Sequence, residues 1–231
     1  MRARARLRFV RKCVEKPAVT AVFMICTTIV LAESLRPSEA LILRVRTEFG
    51  NAAAERVVAW QALMDKAPTA NRRTQLEGVN RFFNKVPFVS DLAHWGQEDY
   101  WATPLELLVS NGGDCEDFSI AKYFTLRSLG VPAENLRLIY AKATLINQAH
   151  MVLAFYETPA SDPLILDNLD PVIKPGSQRT DLIPVYSFNG EHVWLAKELK
   201  GRGEMVGNAS RISLWKKLRQ RVDHEMRAAQ N

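Results

Sequence analysis

The chain has 231 residues, with 31 Lys and Arg against 25 Asp and Glu, a formal net charge of +6. At 47% hydrophobic and 24% charged residues it has the balance of an ordinary globular protein, and 11 Gly and 11 Pro exclude a collagen-like or low-complexity chain. Three Cys are too few for a disulfide scaffold.

The basic excess has one address. Arg2, Arg4, Arg6, Arg8, Arg11, Lys12 and Lys16 stand against Glu15 alone in residues 1–32, and the rest of the chain balances 24 basic residues with 24 acidic ones. Directly behind the basic stretch, residues 18–32 (AVTAVFMICTTIVLA) run for 15 positions without a charge. A basic n-region followed by an apolar h-region and small residues reads as a secretory signal over 1–32, with cleavage after Ala32 or as late as Ala40. The run is shorter than the roughly 20 residues of a spanning helix, but it leaves an uncleaved inner-membrane anchor open. Export places the mature chain outside the cytoplasm. The charge that suggests nucleic acid then belongs to the leader, and no nucleic-acid partner is expected. Cys13 and Cys26 also lie in the leader, so the exported part keeps Cys115 alone.

Apolar positions at helical spacing over 41–66 predict one or two amphipathic helices, and a further helix over 71–85 ends before Pro87. Residues 88–103, rich in aromatic and acidic side chains, read as irregular. Thr103-Pro104 opens a short helix through Val109, with Pro at its first position. Asn111-Gly112-Gly113 is a turn, and residues 114–129 form a helix that Gly130 ends. The pattern then changes to strands over 136–143, 150–156 and 164–169, with a hairpin around Asn189-Gly190 in 185–196. A basic helix over 213–228 closes the chain. Helices first and strands later predict an α+β fold with N-terminal helices packed on an antiparallel sheet. The expected organisation is a domain over 41–208 and a basic C-terminal helix over 209–231.

The densest chemistry is Gly112-Gly113-Asp114-Cys115-Glu116-Asp117. Cys115 falls at a predicted helix N-terminus, where the dipole and free N–H groups favour a thiolate nucleophile and can serve as an oxyanion hole. The Gly pair lets backbone approach a substrate closely. Asp114, Glu116 and Asp117 work against the thiolate, since nearby negative charge raises a thiol. Either they cap the helix, pointing away from sulfur, or some of them bind a hard cation; oxygen-only ligands outside the cytoplasm favour calcium over zinc. A Cys nucleophile needs a base, and the base an orienter. Of His94, His150, His192 and His224, His150 opens a strand that follows the Cys helix. Asp167 lies in the next strand, where a carboxylate among apolar residues needs a partner; Asp170 is its weaker competitor.

The order Cys, His, Asp on helix, strand and strand resembles the transglutaminase-like, papain-like cysteine protease fold. GGDCEDFSIAKYFTLRSLG, AHMVLAFYE and LILDNL, with DYWATPLELL upstream, resemble the bacterial transglutaminase-like cysteine proteases of the LapG type over roughly 70–200. The resemblance implies Cys115 as nucleophile, His150 as general base and acid, and Asp167 as orienter. It also implies calcium at Asp114 and Glu116, with Asp117 and the stretch from Asp99 to Trp101 completing the site. It further implies a periplasmic endopeptidase that cuts a large surface adhesin near paired alanines in its N-terminal region. That cut releases the adhesin and promotes biofilm dispersal, and an inner-membrane cyclic di-GMP receptor restrains the protease. Two rivals remain at this level: a transglutaminase passing the same thioester to an amine, and a catalytically idle receptor-binding module.

Overall fold

The computed structural model describes residues 35–66, 70–195, 199 and 203–228. The expected leader, its cleavage site after Ala32 and the two leader cysteines lie outside these residues; the alternative cut after Ala40 falls inside them, in the first turn of a helix. Among the described residues no helix is long and apolar enough to cross a membrane.

Helices come first, as the periodicity predicts. The apolar stretch over 41–66 divides into α1 (Glu39–Phe49) and α2 (Asn51–Lys66). The break is Gly50, whose φ of 86° is a conformation that side chains other than glycine's resist. Ser38 caps α1 by accepting the Leu41 N–H. α3 (Arg72–Phe83) buries Leu76, Val79 and Phe83, with Phe82 half-buried. The segment read as irregular contains a short helix, α4 (Asp91–Trp95). α5 (Pro104–Ser110) starts with a reciprocal capping box between Thr103 and Glu106, and Asn111 ends it at φ 58°.

α6 (Cys115–Ser128) is the central helix. Phe118, Ile120, Ala121, Tyr123 and Leu126 are buried around most of its circumference, as are the polar Asp117, Ser119, Lys122 and Thr125. A helix covered on most sides is a core helix, not a surface one. The buried Trp60 of α2 donates its indole N–H to Thr125 at 2.9 Å, tying the first layer to α6.

The rest of the chain builds one antiparallel sheet in the order β4-β3-β2-β1-β5-β6-β7. Its strands are β1 (Leu136–Ala143), β2 (Gln148–Phe155), β3 (Leu164–Leu166), β4 (Lys174–Pro175), β5 (Leu182–Phe188), β6 (His192–Leu195) and β7 (Glu204–Asn208). The predicted hairpin at Asn189-Gly190 joins β5 to β6. The edge strands β4 and β7 were not predicted. Leu138, Met151, Leu153 and Phe155 join the helices in the main core, while Ile139, Ala141, Val152, Ala154 and Ile165 form a smaller cluster by the alternation of strand side chains. The final helix, α7 (Ser213–Ala228), packs Trp215, Leu218 and Val222 into the main core, with Trp215 stacked on Phe124 and edge-on to Phe188. Its Lys216, Lys217 and Arg219 stay exposed.

Candidate active site

Cys115 occupies the first position of α6, and Asp114 is the N-cap. The preceding glycines are needed for packing. A Cβ on Gly112 would come within 2.9 Å of the His94 ring, and one on Gly113 within 2.5 Å of an Asp117 oxygen and 2.7 Å of Leu107. The close approach expected with a substrate is used here within the protein itself. The Gly113 carbonyl accepts the Val89 N–H at 2.9 Å, which ties the start of α6 to the α3–α4 connection.

α6 is fixed against β2 beside the site. Buried Ser119, one turn past Cys115, donates to the Met151 carbonyl at 2.9 Å, and the Met151 N–H in turn reaches the Cys115 sulfur. The residue before Met151 is His150, 2% exposed and paired in register with Ala141 of β1. Its Nε2 lies 2.7 Å from Asp167 Oδ1, with both side chains buried. Asp167 directly follows β3, held by its backbone: the Asn84 side-chain amide donates to its carbonyl at 2.7 Å. The competitor Asp170 is engaged elsewhere, with the Lys174 ammonium at 2.7 Å. The other histidines have different surroundings. His94 packs on Gly112, His192 sits half-exposed near Glu191, and His224 is exposed on α7.

Asp167 is fully supplied with donors. Oδ1 accepts from His150 and from the Leu169 N–H at 3.0 Å, and Oδ2 accepts from Arg179 at 2.7 Å. Burial alone would raise its carboxyl, but the hydrogen bond and charge of His150, the Leu169 N–H and Arg179 hold it well below the usual carboxylate range. Since Nε2 is the nitrogen bonded to a carboxylate, it carries the proton, and Nδ1 is left as the basic nitrogen. That is the tautomer a thiol proton requires.

The thiol itself behaves differently from the helix-terminus expectation. Burial first, then the charge and hydrogen bond of Glu116, push it above its ordinary range, against the Met151 N–H. It donates to Glu116 Oε2 at 3.1 Å, and no hydrogen bond joins it to His150 among the described residues. The helix dipole that favours a thiolate is outweighed by desolvation and by a carboxylate in direct contact.

The three expected metal ligands lie in one acidic cluster but divide their tasks. Asp117, fully buried, accepts the Ala102 N–H at 2.7 Å and the Asp114 N–H at 3.2 Å, so it caps α6. Asp114 groups with Asp117 and Asp91, and Glu116 with Asp91 and Asp99; within each group donor atoms lie within 4.8 Å of one another. Asp91, common to both groups, carried no sequence signal, because it opens a five-residue helix in the segment read as irregular. Asp99 was legible as part of the acidic stretch upstream. Burial, against the Tyr100 N–H and aided by the charges of Asp114 and Asp99, pushes Asp91 up to about 6. Burial, with the hydrogen bond and charge of Asp114, pushes Glu116 up to about 9. Burial also raises Asp117, against the Ala102 N–H. Oδ1 of Asp91 and Oδ1 of Asp114 are buried without a hydrogen-bond partner. Crowded carboxylates with orphaned oxygens and no soft donor besides sulfur fit a hard divalent cation.

A helix opened by a cysteine, packed on an antiparallel sheet that pairs a buried histidine with an aspartate, defines the transglutaminase-like cysteine protease class. Comparison with known proteins gives the particular family. The profile of the bacterial transglutaminase-like cysteine proteinases matches residues 46–194, and the chain belongs to this family and is a cysteine protease. Among solved structures it is similar to LapG of Legionella pneumophila. The EGTA-treated form is 44% identical with a TM-score of 0.71, covering 80% of this chain and 99% of that one. The calcium-bound form is 43% identical with a TM-score of 0.68, covering 80% and 98%. A search of curated proteins finds no match.

Proposed function

We propose that this chain is a calcium-dependent endopeptidase of the periplasm that cuts the N-terminal region of a large surface adhesin. The observation that carries the catalytic part is the 2.7 Å contact between His150 Nε2 and Asp167 beside a helix-opening Cys115. Asp167 holds the ring so that Nδ1 takes the thiol proton, and sulfur attacks the scissile carbonyl. Cys115 occupies the first turn of α6, where N–H groups have no partner within the helix, and its own N–H is assigned as donor to the developing oxyanion. His150 returns the proton to the leaving amine as the C–N bond breaks. Water, deprotonated by the same nitrogen, then hydrolyses the thioester and restores the thiol.

Asp91, Asp114, Glu116 and Asp99 would hold the calcium ion, with Asp117 bracing the helix beneath them. Bound there, the ion supplies positive charge where carboxylates crowd the thiol. The similarity to a calcium-bound LapG of Legionella pneumophila supports this assignment. The adhesin, its cut near paired alanines, biofilm release and restraint by an inner-membrane cyclic di-GMP receptor rest on the likeness to the LapG type. The leader over 1–32 supports export.

The test is digestion of the adhesin's N-terminal region by the purified chain, with and without EGTA, read by mass spectrometry of the fragments. A single calcium-dependent cut near paired alanines is expected. Amine incorporation instead of cleavage would make the chain a transferase, and an uncut adhesin in calcium would remove it as substrate.

A further inference from the structure

Arg179 lies in the connection between β4 and β5, outside every motif read from the sequence, yet its side chain is 2% exposed. Its guanidinium makes a fork on Asp181: Nε donates to Oδ1 at 2.9 Å and Nη2 to Oδ2 at 2.8 Å. The same Nη2 donates to Asp167 Oδ2 at 2.7 Å. Asp181 is anchored in turn, because its carbonyl accepts the Thr144 N–H at 2.8 Å where β5 begins to pair with β1.

We infer that Arg179 is a positioning residue for the reaction, clamped by Asp181 so that it fixes the Asp167 carboxylate in the rotation that serves His150. This rests on reading Cys115, His150 and Asp167 as the reacting set. A buried carboxylate is free to swap its oxygens by turning about its terminal bond, or to pick up a proton, unless both oxygens are engaged. His150 and Leu169 engage only Oδ1; Arg179 is the sole side chain engaging Oδ2 among the described residues. Lys122, the other buried cation near Asp167, has no hydrogen-bond partner on its ammonium and lends no direction.

The charge arrangement points the same way. Asp181 neutralises Arg179 through two parallel hydrogen bonds, which leaves the Asp167 charge available to the imidazolium that forms when the thiol gives up its proton. A planar guanidinium is required, because an ammonium cannot make the fork and the third bond from one preset orientation.

The test compares wild type with Arg179→Ala, Arg179→Lys and Asp167→Ala, using the full chain in calcium and a synthetic peptide spanning the cut that mass spectrometry identifies. The second readout, independent of turnover, is the proton NMR signal of the His150 Nε2–H. Arg179→Ala should lower kcat on the order of 10²-fold with KM nearly unchanged, since a misplaced reacting group costs about that much. Its imidazole N–H signal should shift or broaden. Sub-denaturing guanidinium should restore both readouts in Arg179→Ala, not in Asp167→Ala, and Arg179→Lys should stay impaired. A folded Arg179→Ala with wild-type kcat and an unmoved signal overturns the inference, and so does a folded Arg179→Ala whose lost activity guanidinium does not restore. Should Arg179→Ala fail to fold, Arg179→Lys decides: unchanged kcat and signal there overturn the inference. Full activity in Asp167→Ala would sink the triad reading instead, while the NMR signal in the Arg179 variants would still decide whether the clamp fixes the pair.

Discussion

Two polar clusters meet at the start of α6, and they are finished to different degrees. Around Asp167 every carboxylate oxygen has a donor, and the group sits well below its ordinary range. Around Asp91, Asp114 and Glu116, oxygens are left without partners, and Asp91 and Glu116 are pushed up. The protein completes the first cluster from its own side chains and leaves the second one short of positive charge. A buried charge is tolerated only when it is paired, so the two clusters teach which half of the site the protein pairs from its own side chains and which half it leaves as crowded carboxylates.

The contrast can be broken most severely at the thiol. Cys115→Ala should lose on the order of 10⁴-fold or more in kcat/KM while keeping its circular dichroism; residual cleavage near wild type would remove Cys115 from the chemistry. Asp167→Asn comes next, with a loss on the order of 10³-fold, because the amide stabilises the wrong ring tautomer and cannot support the imidazolium. Activity against the same peptide measures it.

The unfinished cluster should respond through binding. Asp91→Asn is expected to weaken calcium about 10- to 100-fold in a calorimetric titration, since affinity follows the charge count of the ligands, and unchanged affinity would remove Asp91 from the ligand set. Proton linkage sharpens the same point. Asp91 and Glu116 hold protons more tightly in the folded chain than at their ordinary values of 3.8 and 4.5. The native state therefore binds more protons, and stability falls as pH rises through the window from about 4 towards 6 for Asp91 and 9 for Glu116. Scanning calorimetry without calcium should show a melting temperature that declines from pH 5 to pH 8, and calcium should protect more at pH 8. A calcium-free melting temperature that rises over that range would show the cluster is not strained. The smallest effect belongs to Ser119→Ala, which removes one neutral hydrogen bond between α6 and β2. It should cost about 1 kcal/mol in chemical denaturation and leave cleavage nearly intact.

Much of this was legible from residues alone. Cys115 announced itself by standing after two glycines and among acids at a helix start, and His150 and Asp167 by polar chemistry within apolar strands. The α+β layering followed from the change of period after Gly130. Asp91 and Arg179 were hidden because each acts across the chain, one from a single-turn helix and the other from a connection without periodicity. The strands β4 and β7 escaped for a related reason. A two-residue Lys-Pro pairing and a polar, glycine-bearing EMVGN at the sheet edges carry no alternation, and only the neighbouring strand makes them strands. The upward push on the thiol was legible in its acidic neighbours, but its largest cause, burial, was not, since that depends on how deeply α6 is covered.

Along the sheet, chain neighbours pair everywhere except at the seam between β1 and β5. β1 to β4 form one meander and β5 to β7 another, each closed by short connections that cost little entropy, while the seam closes a much longer loop. His150 and Asp167 both belong to the first meander, where they lie 2.7 Å apart. Arg179 and Asp181 stand at the threshold of the second, where Leu182 pairs with Ala143. The arrangement thus spans the seam: the first meander carries the His150–Asp167 pair, and the arginine that reaches Asp167 comes from the chain that leads into the second.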